Sequence, residues 1–251
     1  MSGHSKWANI KHAKGIADAK RGQMFTKLTR EIIIAVREGG SDIESNFRLR
    51  LAVQKARDSN MPGDNIERAI KRGSGTLEGA TMVEMTLEGY GASGTAVLVQ
   101  ALSDNRNRTL QEVRNIFMRN GGSLGESGCV SWLFNPKGVI RLDTNDLDAD
   151  ELALQAIDAG AEDVKVDDDG IEIYTKPEEL EKVRAALKQK NLPVASSELS
   201  LVPKTLVELE EKPALQTLKL LDKLEELDEV QHVYSNADFS VSVVEKYQSQ
   251  S

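Results

Sequence analysis

The spacing of apolar residues changes near Gly75, and this change limits the folds that the 251-residue chain can adopt. Before Gly75, apolar residues recur three or four positions apart, which is the period of a helix with one buried face. The clearest series is Phe25, Leu28, Ile32 and Val36. After Gly75, residues 82–90 and 95–102 alternate or run apolar in the manner of strands. The pattern therefore predicts a helical front part followed by a mixed α/β part.

Three helices are predicted in the front part, each closed by a residue or break that disfavours continuation. Their predicted last residues are Gly39, Ser59 and Gly73. The second is expected to begin near Ser45, and Met61-Pro62-Gly63 separates it from the third. Asp64 followed by Glu67 is a capping-box pattern, which predicts that the third helix is capped at Asp64.

The segment after Asn135-Pro136-Lys137-Gly138 has an element order of its own. It predicts a strand at 139–142, a helix at 149–159, strands at 163–166 and 171–174, a helix at 177–190 and a strand at 198–202. This β-α-β-β-α-β order is the ferredoxin-like plan. Asp167-Asp168-Asp169-Gly170 is typical of the hairpin turn between its middle strands.

Residues after Pro203 supply only half of a further domain, because they predict one helix among short strands. Paired with residues 79–134, they complete an α/β sandwich. We therefore predict an α+β multidomain fold: a basic three-helix domain (1–78), a middle α/β domain (79–134 plus 204–246) and an acidic ferredoxin-like domain (135–203) inserted in it. The alternative is three domains in simple sequence. Strands at 130–134 and 239–244 are expected to belong to the middle domain.

Charge is distributed unevenly along the chain. The net charge is −8, yet residues 1–75 hold 15 Lys and Arg against 8 Asp and Glu, which leaves −15 for the remainder. A protein with one basic end orients that end toward a polyanion. Ordinary charge on helix surfaces is the alternative interpretation.

Several function classes are disfavoured by composition. The longest apolar run, near Ile32–Val36, is far shorter than the roughly 20 residues of a membrane-spanning helix. No apolar stretch follows the basic N-terminus as in a secretory signal, so a cytoplasmic protein without membrane association is expected. With Cys129 as the single cysteine, an intrachain disulfide framework is excluded.

No motif for catalysis, a metal or a cofactor is found. His4, His12 and His232 lack metal-binding spacing, and Cys129 has no histidine near it in sequence. The G-x-G-x-x-G pattern of Gly89–Gly94 is followed by a predicted strand and not by a helix, so a hairpin turn is expected in place of a dinucleotide site. A protein that is not an enzyme, with no metal or cofactor, is predicted.

The N-terminal segment has the strongest signal for a binding site. Residues 1–30 contain seven Lys and Arg against one acid, Asp18. The predicted nucleic-acid-binding residues are Lys6, Trp7, Lys11, His12, Lys14, Lys20, Arg21, Lys27 and Arg30. The cations suit a phosphate backbone, and Trp7 and His12 suit stacking on bases or sugars. The alternative is that Trp7 anchors a terminal arm on its own domain.

Arg106 and Arg108 form a second candidate contact. They lie near the start of a predicted helix, where a cation gains nothing from the helix dipole. An anionic ligand is one explanation, and a salt bridge to the acidic domain is the other.

Three separate sequence stretches carry a family resemblance. They are GHSKWANIKHAK at residues 3–14, SDNRNRTLQEVRNIF at 103–117 and GGSLGESGCVSWLF at 121–134. Together they resemble the YebC/PmpR family, which includes the mitochondrial translational activator of cytochrome oxidase. The resemblance implies a helical N-terminal domain, two α/β domains with the third inserted in the second, and no catalytic residues. It implies a DNA-binding transcriptional regulator or a role in translation.

Three functional hypotheses follow. The first is a DNA-binding transcriptional regulator, and the second is a ribosome-bound translation factor whose cations contact ribosomal RNA. The third is a protein-interaction module that recruits a basic partner through Asp143–Glu181, a stretch with 15 carboxylates and 2 lysines. We rank nucleic-acid binding above the third hypothesis, with DNA as the first choice and RNA as the alternative.

Overall fold

A computed structural model describes residues 18–77, 82–143, 148–167 and 170–250. Its helices are α1 (Asp18–Gly39), α2 (Phe47–Asp58), α3 (Gly63–Gly73), α4 (Arg106–Arg119), α5 (Ala149–Asp158), α6 (Leu180–Gln189), α7 (Glu211–Glu225) and α8 (Val241–Gln250). Its strands are β1 (Val83–Tyr90), β2 (Ala96–Ser103), β3 (Ser123–Leu124), β4 (Phe134–Leu142), β5 (Asp163–Asp167), β6 (Gly170–Thr175), β7 (Val194–Pro203), β8 (Val207–Glu208), β9 (Val230–Ser235) and β10 (Ala237–Asp238). The predicted α+β class, helical first and α/β afterwards, is confirmed.

Helices α1–α3 form a small domain around their own apolar core. Its fully buried members include Ile32, Leu49, Ala56 and Ala69. Asn46 ties α1 to α2, because its side-chain oxygen accepts from the Leu49 N–H at 3.0 Å while its amide donates to the Ala35 carbonyl at 2.7 Å. One buried side chain thus caps one helix and satisfies a carbonyl of another.

The capping box predicted at Asp64 and Glu67 is wrong. Helix α3 begins at Gly63, its N-cap is Pro62, and no side chain bonds the cap. Proline fixes the entry angle through its φ of −56°, and its carbonyl accepts from the N–H groups of Asn65 and Ile66. Asp64 lies inside the first turn, where its charge favours the positive end of the helix dipole.

The middle unit is an antiparallel sheet of order β3-β1-β2-β9. Strand β9 pairs with β2, so segments that precede and follow the ferredoxin-like unit share one sheet. Helices α4 and α7 contribute Phe117 and Leu218 to a core that also contains Val97 and Val99 of β2. Tyr90 pairs with Ala96 across a short turn, which confirms that Gly89–Gly94 is a hairpin connection.

The strand predicted at 239–244 is wrong, because the chain forms helix α8 there. The β-branched run in this segment suggests a strand by propensity alone. Tertiary packing decides otherwise: Val243 and Tyr247, four residues apart, both contact the middle core. Ser240 precedes the helix and accepts from the Val243 N–H at 3.4 Å.

The ferredoxin-like unit has sheet order β5-β6-β4-β7 with every pair antiparallel. Leu152 of α5 and Leu180 of α6 pack on Ile140 and Ile173 of the sheet. The predicted β-α-β-β-α-β order is confirmed by these elements. Asp167 pairs with Gly170, and the two residues between them lie outside the described ranges.

No linker separates the ferredoxin-like unit from the middle sheet. The predicted boundary at Asn135-Pro136-Lys137-Gly138 lies inside β4. Strand β4 pairs with β7 along its length, and the first pair of this ladder is Phe134 with Pro203. Pro136 is tolerated because β6 joins the ladder only at Gly138, so one edge of β4 is open at Pro136. Phe134 belongs to a smaller apolar cluster with Leu98 and Tyr234 of the middle sheet, while Leu142 belongs to the ferredoxin-like core. The β4–β7 ribbon therefore connects two cores.

Within the described ranges, none of the helices combines the length and the apolar character that crossing a bilayer requires.

Candidate nucleic-acid interface

The predicted binding residues fall into two groups. Lys6, Trp7, Lys11, His12 and Lys14 lie outside the described residues. Lys20, Arg21, Lys27 and Arg30 all lie on α1. The structure therefore brings the second group together on one helix.

Polar side chains of α1 contact the C-terminal end of α7. Lys27 donates from Nζ to the Glu225 carbonyl at 2.6 Å, and Gln23 donates to the Glu226 carbonyl. The last carbonyls of a helix have no partners within it and carry the negative end of its dipole. Lys27 therefore stabilises the end of α7 from another domain.

Arg30 and Arg108 converge on a single carboxylate. Arg30 Nη2 is 3.5 Å and Arg108 Nη2 is 2.9 Å from Glu229 Oε1. The Arg30 and Glu229 side chains are only 15% and 11% exposed, so this pair is poorly screened by salt. Arg108 also contacts Asp104 at 2.9 Å, and its hydrogen bond to Glu229 with the charge of Asp104 raises its pKa.

These contacts give the predicted cations a role within the chain. The salt bridge expected for Arg108 forms with the middle domain and not with the acidic domain. The assignment of Lys27, Arg30 and Arg108 as nucleic-acid contacts stays a prediction. Arg106, in the first turn of α4, is exposed and makes no ion pair among the residues that the structure describes.

Exposed arginines of α2 and α3 are the cations that the sequence analysis did not single out. Arg57, Arg68 and Arg72 are exposed, and none of them joins an ion pair within the described ranges. Arg68 and Arg72 are four residues apart and share one face of α3. The net positive charge of residues 1–75 is a sequence signal for these arginines. The predicted binding residues of the front part all lie within residues 1–30, so they do not include Arg57, Arg68 or Arg72.

Arg30 and Arg72 both line a cleft of about 370 Å³ between α1 and α3. Phe25, Met61 and Met82 give it an apolar wall. Arg30 Nη1 is buried and has no hydrogen-bond partner among the described residues. The cleft therefore has two arginines in its lining.

A second feature lies on the face of the middle sheet opposite α4 and α7. Glu88 of β1 is 4% exposed, and its carboxylate accepts from the N–H groups of Gly128, Val130 and Ser131, each at 2.8 Å. Burial acts to raise the pKa of Glu88, but these backbone donors outweigh it and hold the pKa below the ordinary value. The strand predicted at 130–134 is wrong for this reason, since the carboxylate takes N–H groups that a ladder requires.

The loop held by Glu88 presents two aromatic side chains. Tyr90 Oη and Trp132 Nε1 both donate to the Cys129 carbonyl at 3.1 Å. Trp132 is 63% exposed and Tyr90 is 38% exposed. Burial and the nearby Glu88 charge raise the pKa of the Cys129 thiol, which favours its protonated form over the thiolate.

The described part of the chain has no cluster of side chains suited to bind a metal ion. His232 stacks on Tyr234 with ring centroids 5.8 Å apart. No three His, Cys, Asp or Glu side chains of the described residues converge on a common ion position.

Proteins similar to this chain share its full length. One from Dehalococcoides mccartyi is 63% identical over 250 residues, covers both chains completely and is named a probable transcriptional regulatory protein. One from Chloroflexus aggregans has the same name, is 53% identical and covers 99% of this chain and 100% of its own. The crystal structure of a conserved hypothetical protein from Aquifex aeolicus matches with a TM-score of 0.86 and 47% identity, over 93% of this chain and 97% of that one.

The chain has a cationic three-helix front joined to an α/β body. Its full-length relatives are named as regulators, so the chain belongs to a class of regulatory protein. Two family models then specify the family: TACO1/YebC protein N-terminal domain matches residues 5–76, and TACO1/YebC second and third domain matches residues 82–237. The chain belongs to this family, also called YebC/PmpR. The resemblance predicted from three sequence stretches is confirmed.

Proposed function

We propose that this protein is a non-enzymatic regulator that binds nucleic acid through its basic N-terminal domain, with duplex DNA as the first target. The observation that carries the proposal is the set of exposed arginines on α2 and α3, namely Arg57, Arg68 and Arg72. The lysine-rich composition of residues 1–30 in the sequence adds to it. Guanidinium groups pair with phosphate in a fork geometry and remain charged at every physiological pH. Relatives named as transcriptional regulators support this proposal.

The charge of the rest of the molecule supports one orientation. The inserted unit and the middle unit carry the net negative charge, so a polyanion repels them while it attracts the front. The cations of α1 that contact α7 and Glu229 fix the front domain against that acidic body. Binding through the front therefore leaves the acidic inserted unit pointing away from the nucleic acid.

The salt dependence of binding tests the proposal. Affinity for a labelled duplex, measured by fluorescence anisotropy between about 50 and 200 mM salt, should fall with a log–log slope of about −0.9 per phosphate contact. The double variant Arg68→Gln/Arg72→Gln should weaken binding on all sequences and make the slope shallower by about 2.

The control removes the same charge from the acidic unit. Lys182 and Lys188 are exposed on α6, and Lys182→Gln/Lys188→Gln should leave affinity and slope at wild-type values. Equal losses in both double variants would show that net charge alone matters, and a wild-type slope near zero would eliminate the proposal.

The alternative target is RNA, in a ribosome-associated translation factor. The exposed indole of Trp132 favours this alternative, because unpaired bases stack on aromatic rings while bases within a duplex are already stacked. The same titration with single-stranded RNA and with ribosomes separates the targets. Tighter binding to RNA at equal salt, together with co-sedimentation with ribosomes at low salt, would select the translation role.

The acidic unit has features of a protein-docking surface. Leu154 and Ile157, three residues apart on α5, are exposed among carboxylates that include Asp150 and Asp158. This combination suits a basic amphipathic partner. Reversing Asp150 and Asp158 to lysine should abolish regulation and leave nucleic-acid affinity unreduced. Normal regulation by this variant would argue against such a partner.

A further inference from the structure

We infer that Trp132 and Tyr90 form an aromatic platform on which an unpaired base of a nucleic acid stacks. This inference rests on the proposed function and adds to it a second contact, on the middle domain and apart from the basic front. Neither residue is among those predicted from the sequence to bind nucleic acid.

The platform is held rigidly. The carboxylate of Glu88 fixes the loop before Trp132 through three backbone N–H groups, and it comes from the centre of a paired strand. Gly125 packs so closely that a Cβ there would lie 2.6 Å from Cys129 Sγ. An aromatic side chain on such a loop loses little conformational entropy when it binds.

The polar atoms of both rings are already satisfied. Trp132 Nε1 and Tyr90 Oη donate to the same carbonyl, that of Cys129. Indole has no other donor, so its remaining exposed surface is its π face and edge. Such a surface suits stacking, which every base permits, and does not suit hydrogen-bond recognition of a particular base. The platform should therefore bind unpaired bases with little sequence preference.

A cation lies at the backbone of Trp132. Lys204 is exposed, donates from Nζ to the Trp132 carbonyl at 2.6 Å, and pairs through its N–H with the Leu133 carbonyl at 2.8 Å. The ammonium has two further donors, which are available to a phosphate that adjoins a stacked base. Aromatic rings near cations bind single-stranded nucleic acid, so Lys204 on the backbone of Trp132 favours a base over an apolar protein side chain.

The emission of Trp132 tests the inference directly. The chain has two tryptophans, so Trp7→Phe leaves Trp132 as the only indole. Titration of this variant with single-stranded RNA and single-stranded DNA should quench its fluorescence as a base stacks on the ring. Duplex DNA of the same sequence should bind, as anisotropy reports, without quenching.

Variants at the ring itself give the magnitude. Trp132→Ala should weaken single-strand binding roughly 5- to 100-fold, the effect of losing one stacked base, and leave duplex affinity unchanged. Trp132→Phe should restore most of the affinity, because a phenyl ring still stacks. Met118→Ala, which removes another exposed apolar side chain of the middle domain, is the matched control and should bind as wild type.

The outcomes separate this inference from the proposed function. Single-strand binding with unchanged Trp132 emission and with wild-type affinity in Trp132→Ala would overturn the platform and leave the proposed function standing. If the Trp132 emission changes on addition of ribosomes but on addition of none of the free RNAs, the ring contacts a protein. This result would also overturn the platform. Failure to bind any nucleic acid would overturn the proposed function, and the platform with it.

Discussion

The carboxylate of Glu88 replaces the backbone partners that residues 128–131 lose when they leave the sheet. Three backbone N–H groups there find a hydrogen-bond acceptor in the buried carboxylate, and the carboxylate in turn has donors for its charge. Hydrogen bonds to a charged group contribute more than neutral ones, and a buried donor left without a partner costs about 1–3 kcal/mol. The conformation of the loop therefore depends on one side chain and on its charge.

Glu88→Gln should lower the free energy of unfolding by about 1–3 kcal/mol at neutral pH, because the amide is uncharged and places its NH₂ against backbone donors. The pKa of Glu88 is depressed in the folded state, so the contribution of its charge is complete above the ordinary value of 4.5. As pH falls from 4.5 through the folded-state pKa, this contribution is lost. Urea unfolding followed by circular dichroism at several pH values measures the difference.

Glu126 provides the matched control for this prediction. It lies on the same loop and is exposed, so Glu126→Gln should change stability by less than about 0.5 kcal/mol at any of these pH values. A stability difference between wild type and Glu88→Gln that stays constant down to low pH would contradict the assigned role of the charge.

At this scale the sequence predicted types of residue better than their contacts. Strand alternation in β1 is visible in the sequence, but it assigns Glu88 to a solvent face, since nothing local shows that a loop 40 residues later covers it. The same limitation applies to Arg30 and Glu229. Their pairing depends on how two domains pack, and a chain's local pattern contains no information on that.

The junction between α1 and the end of α7 is the clearest contact between elements. Lys27 and Gln23 bind carbonyls of the last turn, and Arg30 meets Glu229 just beyond it. A helix end buried against another domain needs partners for its carbonyls, and α1 supplies them. The junction thus explains why a helix so rich in cations lies against an acidic body.

A double-mutant cycle tests the Arg30–Glu229 pair. Arg30→Met and Glu229→Gln should each destabilise the protein, and their coupling energy should be about 1 kcal/mol, because the groups share a poorly solvated site. Chemical unfolding of the four proteins gives the value. Strict additivity would show that the pair contributes nothing specific.

The same Arg30→Met protein answers a functional question. If Arg30 serves the junction alone, the slope of log affinity against log salt on duplex DNA should match that of wild type. A slope shallower by about 1 would instead show that Arg30 contacts a phosphate.

Elements were predictable where local and tertiary preferences agree. The three front helices and the six elements of the ferredoxin-like unit have clear periodicity, and the structure contains them. Helix α8 was missed because Val241, Val243 and Val244 favour a strand while packing on α7 requires a helix. The boundary at Pro136 was misplaced because proline is tolerated on a strand with an open edge.

The whole molecule is organised by the β4–β7 ribbon and by the pairing of β9 with β2. The ribbon places Phe134 in one core and Leu142 in another, and β9 closes the middle sheet after the chain returns. Domains joined by continuous strands share their unfolding, in contrast to domains joined by flexible linkers. The α+β class was predictable from element order, but this continuity was not.

We expect the middle and ferredoxin-like units to unfold together. In the Trp7→Phe protein, the urea transition seen by Trp132 fluorescence should coincide with that seen by far-ultraviolet circular dichroism. Fluorescence reports the middle unit, and circular dichroism reports all helices and strands. Loss of the β-sheet signal, to which α1–α3 do not contribute, in a transition separate from that of Trp132 would show that the ribbon does not couple the cores.

Trp132 stands only two residues before the first residue of β4. The indole thus lies at one end of the paired strands β4 and β7, whose other end belongs to the acidic sheet. Because paired strands and no linker join that sheet to the loop of Trp132, we expect a displacement of the sheet to move the indole as well. A partner bound to the acidic sheet would therefore shift the position of Trp132 without contacting it.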